Sequence, residues 1–147
     1  MSDQRLILLG EAQRELVDDL RERGFSVLQE RFDRAAFGNY LIDLTTSEFT
    51  VRVVRERGRW GIEASVPSWK EWMPMSVWRW IYEGGSLPGA FSNFDQDSAW
   101  LRGNIDSVIE ELRSNAASLH ERLLACGRER LASWVTEFGP KEERGEL

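Results

Sequence analysis

The stretch YLIDLTTSEFTVRVVRERGRWGIEASV, which spans residues 40–66, decides the fold of this 147-residue chain. Apolar and polar side chains alternate in three runs, which cover residues 39–44, 49–54 and 60–66. Period-two alternation with many β-branched and aromatic residues is typical of half-buried antiparallel strands. A polar connection separates the first two runs, and the three-residue loop Glu56-Arg57-Gly58, with glycine last, separates the others. The sequence therefore predicts a three-stranded meander.

An amphipathic helix is predicted ahead of the meander. Residues 3–23 carry leucines and a valine at spacings of three, four and seven, which places them on one side of a helix. Asp3 is suited to the N-cap position and Gly24 to the C-terminal cap. Because Gly10 weakens the first turns, a helix that begins near Glu11 is the alternative.

Strand, helix and breaker signals fill the rest of the chain. Residues 25–30 read as a strand that extends the meander to four strands, and Pro74 is suited to open a short tryptophan-rich helix. Residues 95–138 carry a helical stripe of apolar side chains, with a break indicated at Ser114-Asn115. That break leaves open whether the C-terminal half is one bent helix or a helical hairpin.

These elements together predict an α+β fold in which helices pack on one face of an antiparallel sheet. The predicted order is an N-terminal helix, a meander of three to four strands, a short tryptophan-rich helix and a C-terminal helical hairpin or bent helix. A chain of 147 residues supplies one core, so we expect a single domain over residues 1–138. Residues 139–147 begin with a Gly-Pro pair and are expected to form a charged flexible tail.

Composition narrows the environment and the class of partner. The chain has 25 acidic and 19 basic residues, and this net charge of −6 disfavours nucleic acid and favours a basic protein partner. No apolar run is long enough to span a bilayer, and the N-terminus lacks the pattern of a signal peptide. The single cysteine, Cys126, cannot form an internal disulfide and is expected to be a buried or half-buried small hydrophobe. We therefore expect a soluble cytoplasmic protein, whose oligomeric state the sequence leaves open.

His120 is the only histidine, so a catalytic triad or a multi-histidine metal site would have to be built around it. Its neighbours at helical spacing are alanines and leucines rather than carboxylates or thiols. Adjacent acidic pairs such as Asp18-Asp19 and Glu110-Glu111 point in different directions on a helix, unlike a catalytic carboxylate pair. The sequence therefore predicts no metal and no cofactor, and we expect a protein that is not an enzyme.

Two clusters are candidates for contact with a partner. Tryptophan is enriched at binding hot spots, although packing in the core is the alternative for each such residue. The tryptophan candidates are Trp69, Trp72 and Trp78. A basic cluster at the predicted hairpin could contact RNA or an acidic patch, with a solvated hairpin tip as the alternative. Its candidates are Arg55, Arg57 and Arg59.

One set of residues spread over the meander forms a pattern of its own. It consists of Phe37-Gly38-Asn39-Tyr40, Phe49, Arg52-Val53-Val54-Arg55, Arg57-Gly58 and Trp60. The pattern resembles a widespread group of small bacterial proteins, similar in size and outline to immunity proteins of polymorphic and contact-dependent toxin systems. That group usually shows Asp-Arg-Gly-Gln at the hairpin, where this chain has Glu56-Arg57-Gly58-Arg59. The resemblance extends to a helical C-terminal half and includes no catalytic signature.

The resemblance implies a non-enzymatic, cytoplasmic inhibitor that neutralises a cognate toxin by direct binding. An acidic body would speed the encounter with a basic toxin domain, and aromatic anchors would slow its release. The alternative is a regulatory or phage-defence adaptor that binds another protein or a nucleotide through the Trp69–Trp80 region, with an exposed groove lined by Arg79 and Trp80. A third hypothesis, an enzyme of unfamiliar type, requires a deep pocket in which carboxylates and His120 converge.

Overall fold

The computed structural model describes residues 8–35, 38–84 and 93–138, with side chains described as far as residue 129. Within these ranges, no helix is both long enough and apolar enough to cross a bilayer. The elements are α1 (Glu11–Glu22), β1 (Ser26–Asp33), β2 (Asn39–Thr45), β3 (Thr50–Glu56), β4 (Arg59–Ser65), β5 (Met73–Pro74), α2 (Met75–Glu83) and α3 (Phe94–Phe138).

The five strands form one antiparallel sheet in the order β1-β2-β3-β4-β5, which confirms the predicted meander and adds the short strand β5. A row of directly opposed residues crosses its centre, where Ile42 pairs with Val53 and Val53 pairs with Ile62. All three side chains are buried, and they belong to the same core cluster as Leu16 of α1 and Leu101 of α3. The helices thus pack on one face of the sheet, and the predicted α+β class is confirmed.

Helix α1 ends in the way that its glycine predicts. The helix begins at Glu11, the later of the two predicted starts. At its end Gly24 has a φ of +97°, a left-handed conformation that glycine adopts at little cost. The Gly24 N–H donates to the Arg21 carbonyl, and the Phe25 N–H donates to the Leu20 carbonyl. These two bonds form a Schellman motif, which confirms Gly24 as the C-terminal cap.

Two features of the sheet differ from the predicted ones. β3 and β4 are joined by two residues, Arg57 and Gly58, rather than by a three-residue loop with a bulge. Both have positive φ, +51° and +80°, as in a type I′ turn, whose twist matches that of the flanking strands. The Arg57 N–H is satisfied by the Asn39 side-chain oxygen at 3.0 Å. β1 continues to Asp33, beyond its predicted end at residue 30, and a bulge at Leu28 interrupts its pairing with β2.

The tryptophan-rich segment is helical over only part of its length. α2 begins at Met75 directly after Pro74 and includes the later tryptophans of the segment. Trp69 and Trp72 instead lie in the connection before β5, outside the helix. The physical reason is the pairing of residues 73–74 with β4, which holds this stretch extended.

The C-terminal half is one helical element with a kink. α3 contains the non-helical residue Asn115, with φ −140° and ψ 39°. The predicted break at Ser114-Asn115 is confirmed, and two helical segments meet there at a kink without a connecting loop. The proposed N-cap at Asp3 and the predicted tail at residues 139–147 lie outside the described residues.

Candidate protein-binding surface

A polar row crosses the sheet face that is opposite the helices, here called the open face. The row takes one residue from each of the first four strands, namely Gln29, Asp43, Arg52 and Glu63. The Asp43 carboxylate accepts hydrogen bonds from the Gln29 amide at 2.7 Å and from the Arg52 guanidinium at 2.7 and 3.0 Å. Although Asp43 lies on the outer face, its side chain is only 1% exposed. The row is therefore an ordered platform rather than loose surface charge.

Trp72 rests on this row. The guanidinium carbon of Arg52 lies 3.9 Å from the centroid of the Trp72 ring, within the distance of a cation–π contact. The hydrogen bond to Asp43 raises the pKa of Arg52, so the guanidinium remains charged. Beside it, burial raises the pKa of Glu63, although Arg52 acts in the opposite direction. The half-buried Trp72 ring is thus placed by the sheet beneath it.

A stacked pair holds residues 66–72, here called the tryptophan loop, against α3. The Trp69 ring stacks on the His120 ring with 4.0 Å between centroids and 8° between planes. His120 Nε2 lies 2.9 Å from a carboxylate oxygen of Glu71, and the Ser65 hydroxyl donates to the Glu71 carbonyl at 2.6 Å. A scan of helical neighbours misses this carboxylate, because Glu71 comes from a loop far away in sequence. These contacts fasten the loop to α3 just beyond its kink.

The Glu71–His120 contact predicts a pH-dependent attachment of the loop. The hydrogen bond from His120 lowers the pKa of Glu71. A carboxyl with a depressed pKa in the folded protein adds stability above its unfolded pKa, and this stability is lost as the pH falls through the folded value. We expect the NMR signals of Trp69 and Glu71 to move together as the pH falls below the ordinary carboxyl value of 4.5. In His120→Gln the Glu71 titration should return toward that value, and an unaltered titration would contradict the contact.

An open pocket of about 310 Å³, here called the tryptophan pocket, lies beside the tryptophan loop at one end of the open face. Its lining includes Trp69 and Trp72 from the loop and Leu28 from β1. Leu28 is 62% exposed, whereas the lining residues Thr50 and Ser65 are 3% and 2% exposed. The leucine therefore lies at the mouth and the two hydroxyl groups at the floor. The volume is at the lower end of the range for ligand pockets, about 300–1,000 Å³.

Trp78, the third tryptophan candidate, is part of the core. Its side chain has no exposed area, and it packs edge to face on Phe49 with 5.2 Å between ring centroids. Its indole N–H donates to the Ala64 carbonyl at 3.3 Å. The interpretation of Trp78 as a partner contact is therefore corrected, because an enclosed ring has no surface to offer. Trp69 and Trp72 remain as candidates.

The candidate arginines lie at the other end of the sheet. Arg55 is five residues from Thr50 along β3, which is roughly 17 Å at about 3.4 Å per residue. The Arg55 guanidinium carbon lies 5.9 Å from the centroid of the Trp60 ring. Arg57 and Arg59 are at the exposed turn beyond it. The structure therefore does not bring these arginines together with the tryptophan pocket.

The adaptor hypothesis predicts an exposed groove lined by Arg79 and Trp80, and the groove beside Trp80 has a different lining. Arg79 pairs with the buried Asp97 at 2.9 Å and is not among the residues that line the groove beside Trp80. A groove of about 330 Å³ beside Trp80 is lined instead by Arg122. That arginine is paired with Glu111 at 3.3 Å. Both guanidinium groups near Trp80 are thus neutralised within the described part of the chain.

Among the described residues, Glu71 is the carboxylate that contacts His120, and other acidic groups and the thiol lie elsewhere. A larger groove of about 750 Å³ is lined by the carboxylates of Glu56, Glu63 and Asp95, but His120 is not among its lining residues. Cys126 is buried with 2% exposure, as predicted. Among the described side chains, no group of three or more could hold a metal ion.

The solvent-facing side of α1 carries a stripe of carboxylates, flanked by the exposed Arg14 and Arg21. Its members follow one another at spacings of four, three and four residues, so they share one side of the helix. The buried residues Leu16 and Leu20 lie on the opposite side. All members of the stripe are exposed, namely Glu11, Glu15, Asp18 and Glu22. Part of the net negative charge is therefore concentrated on one surface.

Three residues that shape the tryptophan pocket and its support were not among the predicted ones. Asp43 could have been found, because the register of the meander places it opposite Arg52. Leu28 could not be singled out from the sequence, because its exposure depends on a bulge in β1. Glu71 could not be singled out either, because its role depends on a contact between the tryptophan loop and α3.

Comparison of the chain with protein-family models, curated proteins and solved structures finds no match. The resemblance of the meander to immunity-protein-like chains therefore rests only on the meander residues quoted above. Function has to be inferred from the chemistry of the surface described above.

Proposed function

We propose that this chain is a non-enzymatic protein-binding factor that neutralises a basic bacterial toxin domain by direct contact, as immunity proteins do. The observation that carries the proposal is the tryptophan pocket, a recess bordered by two tryptophans and open to a partner. The resemblance of the meander and the net charge of −6 support the same conclusion.

The side chains around the pocket are ordered before a partner arrives. Trp69 is stacked on His120, and Trp72 rests on Arg52, which is itself held by Asp43. Binding to side chains that are already fixed forfeits little conformational entropy. Rigid aromatic residues that border a recess are typical of interface hot spots. The arrangement therefore suits tight binding better than transient contact.

The carboxylate stripe of α1 supports a basic partner. Attraction between this stripe and a cationic surface raises the association rate and makes it sensitive to salt. The stripe lies on the helix layer, whereas the tryptophan pocket lies on the open face. We therefore assign the stripe to steering the partner and the pocket to holding it.

Capture and protection together test the proposed function. The tagged chain is used as bait in a lysate of its native host, and co-eluting proteins are identified by mass spectrometry. The gene of a captured basic protein is then expressed in a test bacterium with and without this chain. We expect an equimolar complex, and survival only when this chain is present. Toxicity that the chain does not relieve would overturn the proposal, and binding of a nucleotide instead would favour the adaptor alternative.

Substitutions at the tryptophan pocket are expected to weaken this complex strongly. Trp72→Ala removes one wall of the pocket, and Leu28→Asp places a charge at its mouth. A hot-spot loss of about 2 kcal/mol corresponds to a roughly thirtyfold increase in Kd. Leu8→Asp is the matched control, because Leu8 is also an exposed leucine, at 41%, but lies outside the pocket. Calorimetry measures the Kd of each variant. Equal increases in Kd for Leu28→Asp and Leu8→Asp would contradict a partner contact at the tryptophan pocket.

A further inference from the structure

The tryptophan pocket changes character from its mouth to its floor. The exposed Leu28 marks the mouth, and Pro67 and Trp72 add further apolar surface to the lining. The floor is formed by the buried hydroxyl-bearing residues Thr50 and Ser65. An occupant that fits this gradient has an apolar stem and a polar group at its far end.

The hydroxyl groups of the floor present lone pairs rather than protons. The Ser65 hydroxyl donates its proton to the Glu71 carbonyl at 2.6 Å. The Thr45 hydroxyl donates to the Thr46 carbonyl at 2.7 Å. The oxygens of Thr45 and Thr50 lie 2.7 Å apart, and either hydroxyl can donate in this contact. When the Thr45 proton is directed at the Thr46 carbonyl, the proton between the two oxygens comes from Thr50. Because each proton is directed at an internal acceptor, the remaining lone pairs are suited to a donor from outside.

The electrostatic surroundings favour a cationic donor. None of the described residues that line the pocket carries a charge, so the lining has neither a fixed cation that would pair with an anion nor a carboxylate. Arg52 contacts Trp72 from outside the lining, and its charge is balanced by Asp43. The indole rings attract cations, and the whole chain carries a net charge of −6.

We propose that the tryptophan pocket receives one long basic side chain, lysine or arginine, from the partner protein. The inference rests on the proposed function, because it names the chemistry by which that partner is recognised. The methylene stem lies against Leu28 and Trp72, and the cationic end donates to the hydroxyl oxygens of Thr50 and Ser65. An aliphatic side chain has no N–H group to donate to these two oxygens. A carboxylate would be repelled by their lone pairs.

Blocked amino acids test this pocket without the partner. N-acetyl methylamides of arginine, lysine, norleucine and glutamate are titrated into the ¹⁵N-labelled full chain. The readout is the indole N–H signal of Trp72, assigned by comparison with Trp72→Phe. We expect the two basic derivatives to bind about tenfold more tightly than the norleucine derivative, as hydrogen bonds from a charged donor to the floor hydroxyls imply. Equal binding of the norleucine or glutamate derivative, or no shift with any derivative, would overturn the inference.

Thr50→Val tests the floor, because valine keeps the shape of threonine and removes the acceptor. We expect it to abolish the tenfold advantage of the basic derivatives, while Ser118→Ala at an exposed position of α3 leaves the advantage intact. Leu28→Ala at the exposed mouth is expected to weaken all stem contacts several-fold without disturbing the core. An advantage that survives Thr50→Val would remove the hydroxyl floor from the proposal.

The two proposals fail in different ways. Failure of the titration removes the basic anchor and leaves capture of a toxin possible at other surfaces. If capture and protection fail, the proposal that this chain inhibits a toxin is wrong. A saturable titration with the arginine derivative would still define a site for a basic side chain.

Discussion

Trp78→Ala is expected to lower the free energy of unfolding by about 3–5 kcal/mol, the range for deleting a large buried aromatic side chain. The Trp78 ring is fully buried, packs on Phe49, and lies nearly parallel to Trp69 with 6.0 Å between centroids. Its removal leaves a cavity between α2 and the sheet, and the neighbouring backbone closes such a cavity only in part. A loss of this size is a large fraction of the total stability of a typical domain, about 5–15 kcal/mol.

Urea denaturation followed by far-ultraviolet circular dichroism measures this loss. Trp78→Phe is the control, because it keeps most of the volume and forfeits mainly the indole hydrogen bond to Ala64. We expect its effect to be clearly smaller than that of the alanine variant. Equal stability of the wild type and Trp78→Ala would contradict the buried position.

Asp43→Ala is expected to be the most damaging substitution after Trp78→Ala, with a loss of about 3 kcal/mol in unfolding free energy. Removing one partner of a buried ion pair leaves the other charge uncompensated. The Arg52 side chain is 19% exposed and also lies near Glu63, so the low end of the usual range of about 3–5 kcal/mol applies. The Gln29 amide loses its acceptor in the same variant.

The comparison that isolates this pair uses two further variants. Glu48→Ala breaks the exposed ion pair with Arg113 and is expected to change the stability little, because solvent screens such pairs. The double variant Asp43→Leu with Arg52→Met replaces the buried pair by apolar side chains and is expected to recover much of the loss. If Asp43→Ala and Glu48→Ala were equally mild, the Asp43 carboxylate could not be buried as described.

The strands and helices could be predicted because their signals are local. Alternation over residues 40–66 and the glycine at position 24 act within a few residues, and both predictions are confirmed. The turn between β3 and β4 was harder, since glycine last in Glu56-Arg57-Gly58 fits a three-residue loop as well as a two-residue one. Strand twist decides between the loops, and it places Arg57 at a positive φ that its residue type alone disfavours.

The tryptophans show why a candidate site is less predictable than a fold. Trp69, Trp72 and Trp78 are chemically the same, and their spacing does not reveal which of them the core encloses. Trp78 lies on the buried side of α2, which follows β5 directly, while Trp72 in the preceding loop is half-buried on the open face. Burial of these rings is a property of tertiary arrangement, which local periodicity does not contain.

The strand β1 lies at one edge of the described sheet, where unpaired backbone groups can meet another molecule. It is the first strand in the sheet order, and nearly all of its side chains are exposed. A regular, apolar edge of this kind can template the growth of one sheet onto another, molecule after molecule. The bulge at Leu28 breaks the edge into short runs, and the charges of Glu30 and Arg31 lie within the longer run. An edge interrupted in this way is less suited to templating such growth than a regular apolar edge.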